Sequence, residues 1–521
     1  MKTVGQALTE GLRARGVEVV FGIPGVHTIE LYRGLSGSGI RHVTPRHEQG
    51  AGFMADGYAR VSGKPGVAFV ITGPGLTNAL TAMAQAKADS VPMLVISGVN
   101  RRASLGQGLG LLHELPDQAG MVRALCPSFQ VTAPEALQRC LNLAFAAMLD
   151  GRPGPVHIEV PTDVMGMEAA PTSPPILTAQ SLPDMAQISA AATLLMQAKR
   201  PLILAGGGTR HCGPVLRQLA EALDAPVVQT VNARGVMAGH PLGIAASPSL
   251  QAVRDLIAAS DQVLAIGTEI GPTDYDMYAT GTLPELSAMI RVDCCVLQLA
   301  RHPCRIAIHA GAAMACASLS VAIVARNTGG AARAAATMAA ARVEIAALSP
   351  AMPGQIAFLE TLRETCPGAI VVGDSTQPVY AGNLLYDHDR ANGWFNAATG
   401  FGALGFAPGA AVGAAIADPA ARVFCLIGDG GLQFSPAELR VAVDEGLNIT
   451  YLVWNNAGYG EIAAAMRAAN TEVIGCTPSP LGLRDFAAAC SLPYACINPD
   501  ANALRDNIGA RGPRLIEIRD Y

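Results

Sequence analysis

The sequence lacks several features that define whole classes of protein. No apolar run reaches the roughly 18 residues needed to cross a membrane; stretches such as Val67 to Ile71 and Met93 to Ile96 soon meet glycine or proline. No block of like charges accompanies the net charge of −5, so neither nucleic acid nor an anionic membrane is an expected partner. The twelve cysteines contain no CxxC pair and only Cys294 and Cys295 are adjacent, which points away from a zinc site or disulfide framework and toward buried free thiols. The opening Met1-Lys2-Thr3-Val4 runs into a helical pattern without a signal-peptide core. A cytoplasmic protein is expected.

What is present is ample core material, half of it hydrophobic and rich in alanine, in a chain of 521 residues. That length suggests about three domains. Apolar, β-branched strand candidates alternate with helical stretches throughout, so the expected class is α/β: three consecutive domains with mostly parallel sheets flanked by helices. The candidate strands are Val17 to Phe21, Val67 to Thr72, Met93 to Ser97 and Val156 to Val160 in the first third. Leu202 to Ala205, Val227 to Val231, Val263 to Gly267 and Ile290 to Asp293 follow, then Ile370 to Gly373, Val423 to Ile427, Ile449 to Trp454 and Leu515 to Ile518. A proline-rich linker at Ala170 to Pro175 and an alanine-rich helix at Ala331 to Leu348, broken by Ser349-Pro350, separate them. The expected domains are 1–169, 186–325 and 354–521.

The strongest local signal lies where two strands end. The first runs into Gly428-Asp429-Gly430-Gly431 and the second into Asn455-Asn456. Open α/β sheets bind ligands at the carboxyl ends of their strands. Glycines let backbone approach phosphate, while one carboxylate, one amide oxygen and one carbonyl can hold a small hard cation that keeps its other oxygens from phosphate and water. Asp429, Asn456 and the carbonyl of Gly458 fit Mg2+.

Gly428-Asp429-Gly430 through Asn455-Asn456 resembles the GDG to NN signature of the thiamine diphosphate enzymes. The similarity extends along the chain in the order pyrimidine-binding, middle and diphosphate-binding domain, as in the acetolactate synthase and 2-oxo acid decarboxylase group. It implies thiamine diphosphate and Mg2+ as cofactors, with Gly428, Asp429, Gly430, Gly431, Asn456 and Gly458 at the diphosphate. Ser375, Thr376 and Gln377, after the strand Ile370 to Gly373, are further diphosphate candidates. It also implies a homodimer as the smallest working unit, with sites between subunits, and a homotetramer as the expected assembly.

Arg46-His47-Glu48-Gln49-Gly50-Ala51 matches the family's RHEQGA run, whose glutamate bonds N1′ of the cofactor pyrimidine. Read without the resemblance, Glu48 is an acid in the first turn of a helix. With it, Glu48 is the first catalytic candidate, since a shielded carboxyl can hold a proton near neutral pH. Thr399-Gly400-Phe401-Gly402-Ala403-Leu404-Gly405 contains a literal GxGxxG. No strand clearly precedes it and no acid follows about 20 residues on, so a dinucleotide reading fails. It resembles the stretch between the cofactor rings, which gives Leu404 the role of bending the cofactor and the Gly402 carbonyl that of accepting from its amino group.

The substrate side departs from acetolactate synthase. Phe21-Gly22-Ile23-Pro24-Gly25-Val26-His27-Thr28 places Gly25 and His27 by the expected thiazole, and Leu112-His113-Glu114-Leu115-Pro116-Asp117-Gln118 replaces a Phe-Gln-Glu run. His27, His113 and Glu114 are catalytic candidates; Glu114, Gln118 and Glu461 are substrate candidates. The adjacent histidines of pyruvate decarboxylase are absent. The arginine-rich run that cradles flavin is absent too, so FAD is not expected. Phe21 to Ser38, Arg46 to Ser97 and Ala103 to Gln118 are similar to 5-guanidino-2-oxopentanoate (2-ketoarginine) decarboxylases. The implied reaction makes 4-guanidinobutanal and CO2 from that small 2-oxo acid. A guanidinium tail calls for a carboxylate, with Glu461, Glu114 or Asp274 as candidates. The alternatives are a carboligase that joins the decarboxylated acid to a second carbonyl compound, and a cofactor-binding scaffold without chemistry.

Overall fold

The computed structural model describes residues 2–173, 182–277 and 281–521. Three six-stranded sheets follow one another along the chain, and every strand pair within them is parallel. The first contains β1 (Val19–Gly22), β2 (Arg41–Val43), β3 (Gly66–Val70), β4 (Met93–Val99), β5 (Ser128–Gln130) and β6 (Pro155–Pro161), in the order β2-β1-β3-β4-β6-β5. The second contains β7 (Pro201–Ala205), β8 (Val227–Gln229), β9 (Gly243–Ile244), β10 (Gln262–Ile266), β11 (Ile290–Asp293) and β12 (Ile306–His309), ordered β9-β8-β7-β10-β11-β12. The third contains β13 (Ile370–Gly373), β14 (Trp394–Asn396), β15 (Val423–Gly428), β16 (Ile449–Asn455), β17 (Tyr494–Ile497) and β18 (Arg514–Arg519), ordered β14-β13-β15-β16-β18-β17. Inner strands such as β3, β4, β15 and β16 are buried along their whole length, as expected where helices cover both faces.

The expected linker is irregular up to Ser173; Pro174 and Pro175 lie outside the described residues. The alanine-rich helix spans Gly330–Leu348, and after the Ser349-Pro350 break a new helix starts at Met352 with Pro353 in its first turn, where its missing N–H leaves nothing unbonded.

The first and third domains share one hydrophobic core, which includes Phe53, Met54 and Tyr58 from one and Phe406, Ala410 and Val412 from the other. Its centre is the crossing of α1 (Glu48–Ser62) with the helix Phe406–Ala417. A side chain at Gly57 would collide with the Ala410 carbonyl, and one at Gly413 with the backbone of Met54 and Tyr58. The backbones approach this closely only because those positions have no Cβ.

Candidate functional site

Each outer domain presents a polar cluster at its strand ends. In the third domain, Asp429 follows β15 and Asn456 follows β16. The turn after Asn456 puts Ala457 at φ 60°, a conformation rare outside glycine. Asn455 supports it by accepting from the Ala457 N–H at 3.1 Å and donating to Glu517 at 2.9 Å. Next to it, a side chain at Gly458 would strike the Cys476 carbonyl.

This turn brings three oxygens together. The end of the Asn456 amide lies 3.2 Å from Asp429 Oδ1 and 2.7 Å from the Gly458 carbonyl, and either its nitrogen or its oxygen can face them. With the nitrogen facing them the amide donates a hydrogen bond to each. The oxygen-facing arrangement instead matches neighbouring ligands of a magnesium octahedron, which sit about 2.9 Å apart when each metal–oxygen distance is about 2.05 Å. Among the described residues no group of three His, Cys, Asp or Glu could hold a metal; the fit here rests on one carboxylate, one amide and one carbonyl. Asp429 is 6% exposed, and burial pushes its carboxyl up against the opposing N–H of Asn456.

Facing these oxygens are residues from the end of β13. Thr376 lies against Gly428, and Gln377 approaches Gly460 beside the Asn456 amide. The Gln377 side-chain oxygen is buried without a hydrogen-bond partner. Asp374 beneath them accepts from the N–H groups of Ser375 and Ala407, each at 3.0 Å, and so ties this loop to the helix that follows Leu404. Gly402 stands at φ 77° and is exposed; Leu404 is half-buried. Tyr380, which sequence reasoning missed, is half-buried; burial raises its hydroxyl's pKa, opposed by the Ser375 side chain and aided by the Glu461 charge. Glu461 is exposed at the start of the helix Gly460–Ala468, with no ion-pair partner among the described residues.

In the first domain, Glu48 is the first residue of α1 and is half-buried. Its carboxylate accepts from Asn78 Nδ2 at 3.0 Å, a partner on α2 (Pro74–Ala88) that sequence reasoning also missed. The available signal was the turn Thr72-Gly73-Pro74-Gly75 between a strand and a helix, with Asn78 in the helix's second turn. His27 and His113 are far apart in the chain and come together only in three dimensions: their rings meet edge to face, 5.5 Å between centroids. His27 Nδ1 and Thr72 Oγ1 are both buried without partners. Burial, then the neighbouring His113, lowers the His27 pKa. His113 stands at φ 61°, with its backbone against Gly73. Gly25 leads the single turn holding His27, where a side chain would collide with Ile71.

Two substrate candidates are already engaged. Gln118 is buried; its amide donates to Ser97, Gly98 and Glu159 and accepts from the Gly73 N–H at 2.8 Å. Glu114 accepts from the N–H groups of Leu111 at 2.9 Å and Leu109 at 3.2 Å; the Leu111 N–H in particular holds the carboxyl below its ordinary range. Asp274 is half-buried in the middle domain, accepting from the Val231 N–H at 3.3 Å, and is not part of either cluster.

Parallel sheets with polar clusters at their strand ends place the chain among α/β proteins that bind ligands there, and it belongs to the thiamine pyrophosphate enzyme family. Its residues 2–121 match the N-terminal TPP binding domain, 188–319 the central domain and 374–518 the C-terminal TPP binding domain. Among individual proteins, it is 41% identical to a probable 2-ketoarginine decarboxylase of Pseudomonas aeruginosa, over 99% of this chain and 94% of that one. It is 28% identical to the acetolactate synthase isozyme 1 large subunit of Escherichia coli over 98% of this chain and 92% of that one, and 30% identical to an acetolactate synthase of Mycobacterium leprae over 88% and 76%. Among the described residues no helix is long and apolar enough to cross a membrane.

Proposed function

We propose that the chain is a thiamine diphosphate- and Mg2+-dependent decarboxylase that converts 5-guanidino-2-oxopentanoate to 4-guanidinobutanal and CO2. The observation that carries the reading is the convergence of the Asp429, Asn456 and Gly458 oxygens beside the orphaned Gln377 oxygen, in a chain closely similar to a probable 2-ketoarginine decarboxylase. Bound thiamine diphosphate supplies the electron sink that lets a 2-oxo acid lose its carboxylate.

The chain's own residues divide the remaining work. Asp429, Asn456 and the Gly458 carbonyl hold Mg2+, and Gly428, Gly430, Gly431, Ser375, Thr376 and Gln377 receive the diphosphate. Glu48 holds a proton toward the pyrimidine, the Gly402 carbonyl accepts from its amino group, and Leu404 keeps the two rings bent toward each other. Gly25 leaves room for the thiazole. His27 and His113 handle the proton that distinguishes aldehyde release from carbon–carbon bond formation. Gln118 and Glu114 shape the wall: one fastens Gly73 and the other closes the loop carrying His113. Glu461 pairs with the guanidinium tail; a carboxylate without an ion-pair partner among the described residues suits that role.

A homodimer as the minimum unit, and a homotetramer as the full assembly, complete this reading. Apolar side chains are exposed at both clusters, Val26, Ile29 and Leu112 on one domain and Phe401, Phe434, Ile462 and Ile474 on the other. Patches of that kind mark surfaces that another chain covers. No flavin enters the reaction. All twelve cysteines are free, which accords with a reducing cytoplasm.

Turnover of 2-oxo acids with cationic, aliphatic, aromatic and acidic tails tests the proposal, with product analysis for each. We expect preference for the cationic tail and release of free aldehyde. Equal turnover of pyruvate removes the substrate assignment, and acetolactate without free aldehyde replaces the lyase with the carboligase.

A further inference from the structure

The segment carrying Gly402 and Leu404 is fastened by buried side chains that have no place in the chemistry above. Arg60, 3% exposed near the end of α1, is ion-paired with Asp56 at 2.5 Å and Asp89 at 2.8 Å. Its guanidinium lies over the rings of Phe395 and Phe406, 5.3 and 5.7 Å from their centroids. Those rings flank the segment at its two ends. Asp89, just beyond α2, accepts from the Thr399 hydroxyl at 2.9 Å and from Asn232 of the middle domain at 3.1 Å. One turn earlier, Gln85 donates to Asp89 at 2.8 Å and accepts from the Ala403 N–H at 3.2 Å. Ala403 lies between Gly402 and Leu404. A side chain at Gly400 would run into Ala88, so this stretch rests directly on the helix end.

Packing alone could bury a loop, but buried ions are tolerated only when paired and fully hydrogen-bonded. A satisfied polar network fixes one geometry where apolar contacts would allow several. Both branches of this network end on the segment, one at Thr399 and the other at Ala403. The same helix, two turns back, carries Asn78 and its bond to Glu48.

We propose that Gln85, Asp89 and Arg60 are positioning residues that set the Gly402 carbonyl and the Leu404 side chain, and thereby the bend of the bound cofactor. The inference rests on the reading that this segment meets thiamine diphosphate.

The test uses full-length Gln85→Met, Thr399→Val and Thr399→Ser proteins. In the cofactor-free state, amide hydrogen exchange across 397–404 should speed up in the first two. With thiamine diphosphate and Mg2+ bound, exchange of the cofactor C2 proton should slow by about tenfold or more, because a displacement of about 1 Å can cost up to a hundredfold. Affinity for thiamine diphosphate should stay within about threefold, since the diphosphate clamp is untouched. Thr399→Ser, which keeps the hydroxyl, should restore both readouts. Unchanged C2 exchange in both variants overturns the inference, as does a loss of C2 exchange matched by equal losses of affinity and thermal stability. Should Gln85→Met not fold, Thr399→Val and Thr399→Ser decide alone. If the wild-type chain does not bind thiamine diphosphate, the function itself falls; binding without the split removes only this inference.

Discussion

The first and third domains have the same strand order but place different chemistry at corresponding positions. After the first strand of each, one has Gly25 and His27 and the other Ser375 to Gln377. After the third strand stand Thr72-Gly73 in one and Asp429-Gly430 in the other, and at the end of the fourth Gly98 against Asn455 to Gly458. The topology fixes where a ligand can sit, at the carboxyl ends of the strands; the residues delivered there decide what is done to it. The third domain supplies a carboxylate, an amide and a carbonyl that converge at the ends of two strands, a donor set that suits a hard cation. The first supplies a carboxyl, two imidazoles and an unpaired hydroxyl, groups that move protons.

If that division is right, the largest effect comes from the clamp. Asp429→Ala should abolish measurable binding of thiamine diphosphate in titration calorimetry and lower turnover by about a thousandfold or more; chelating Mg2+ from the wild-type protein should do the same, and its return should reverse the loss. Near-normal binding by the variant would break the comparison at its stronger end. Glu48→Gln should act on the other half, lowering turnover and C2 proton exchange by about a hundredfold or more while the cofactor still binds. Parallel loss of binding and exchange would mean that Glu48 serves the clamp and not the proton. Smaller again is Glu461→Gln, expected to raise KM for the guanidino acid by about tenfold to a hundredfold, the size of one charge-assisted hydrogen bond, and to leave a neutral 2-oxo acid unaffected.

The same contrast explains what could be read beforehand. The inner strands of all three sheets are near-continuous apolar runs, and each was anticipated to within a few residues, as with Ile290–Asp293 and Ile370–Gly373. The edge strands were not. Arg41–Val43, Ser128–Gln130 and Gly243–Ile244 are too short or polar to show a period, and Trp394–Asn396 and Tyr494–Ile497 carry no alternation that distinguishes them from loop. At the sites, contiguous motifs were legible because the glycine and acid run, and separately the amide pair, each come directly at the end of an apolar strand. The His27 and His113 contact was not, since it joins two loops through the fold; nor was the partner of Glu48, Asn78, which lies on another helix. The Gln118 amide and the Glu114 carboxylate stand out as substrate candidates in a linear chain because nothing there reveals the groups bonded to them, Ser97, Gly98, Glu159 and the Gly73 N–H in one case and the Leu109 and Leu111 N–H groups in the other.

The smallest effect concerns the contact between the two halves. Glu438 of the third domain, 1% exposed, accepts from the Arg46 N–H at 3.1 and 3.2 Å, and a side chain at Gly50 would strike its carboxylate. Burial pushes its pKa up to about 7, opposed by the N–H groups of Arg46 and His47 and the Arg46 charge, and aided by the Glu48 charge. A carboxyl raised in the folded state binds its proton more tightly there than in the unfolded chain. Its stabilising contribution is therefore complete below the ordinary carboxyl range and is lost as pH rises through about 7, by about 3 kcal/mol at most. Glu438→Gln keeps the shape but cannot ionise. Its thermal unfolding, measured without cofactor, should decline less steeply than wild type between about pH 4.5 and 7, with the two proteins diverging by a few degrees at neutral pH and nearly coinciding in acid. Identical slopes would show that the carboxyl is already ionised at the domain contact, and that the first and third domains meet through a charge and not through a shielded acid.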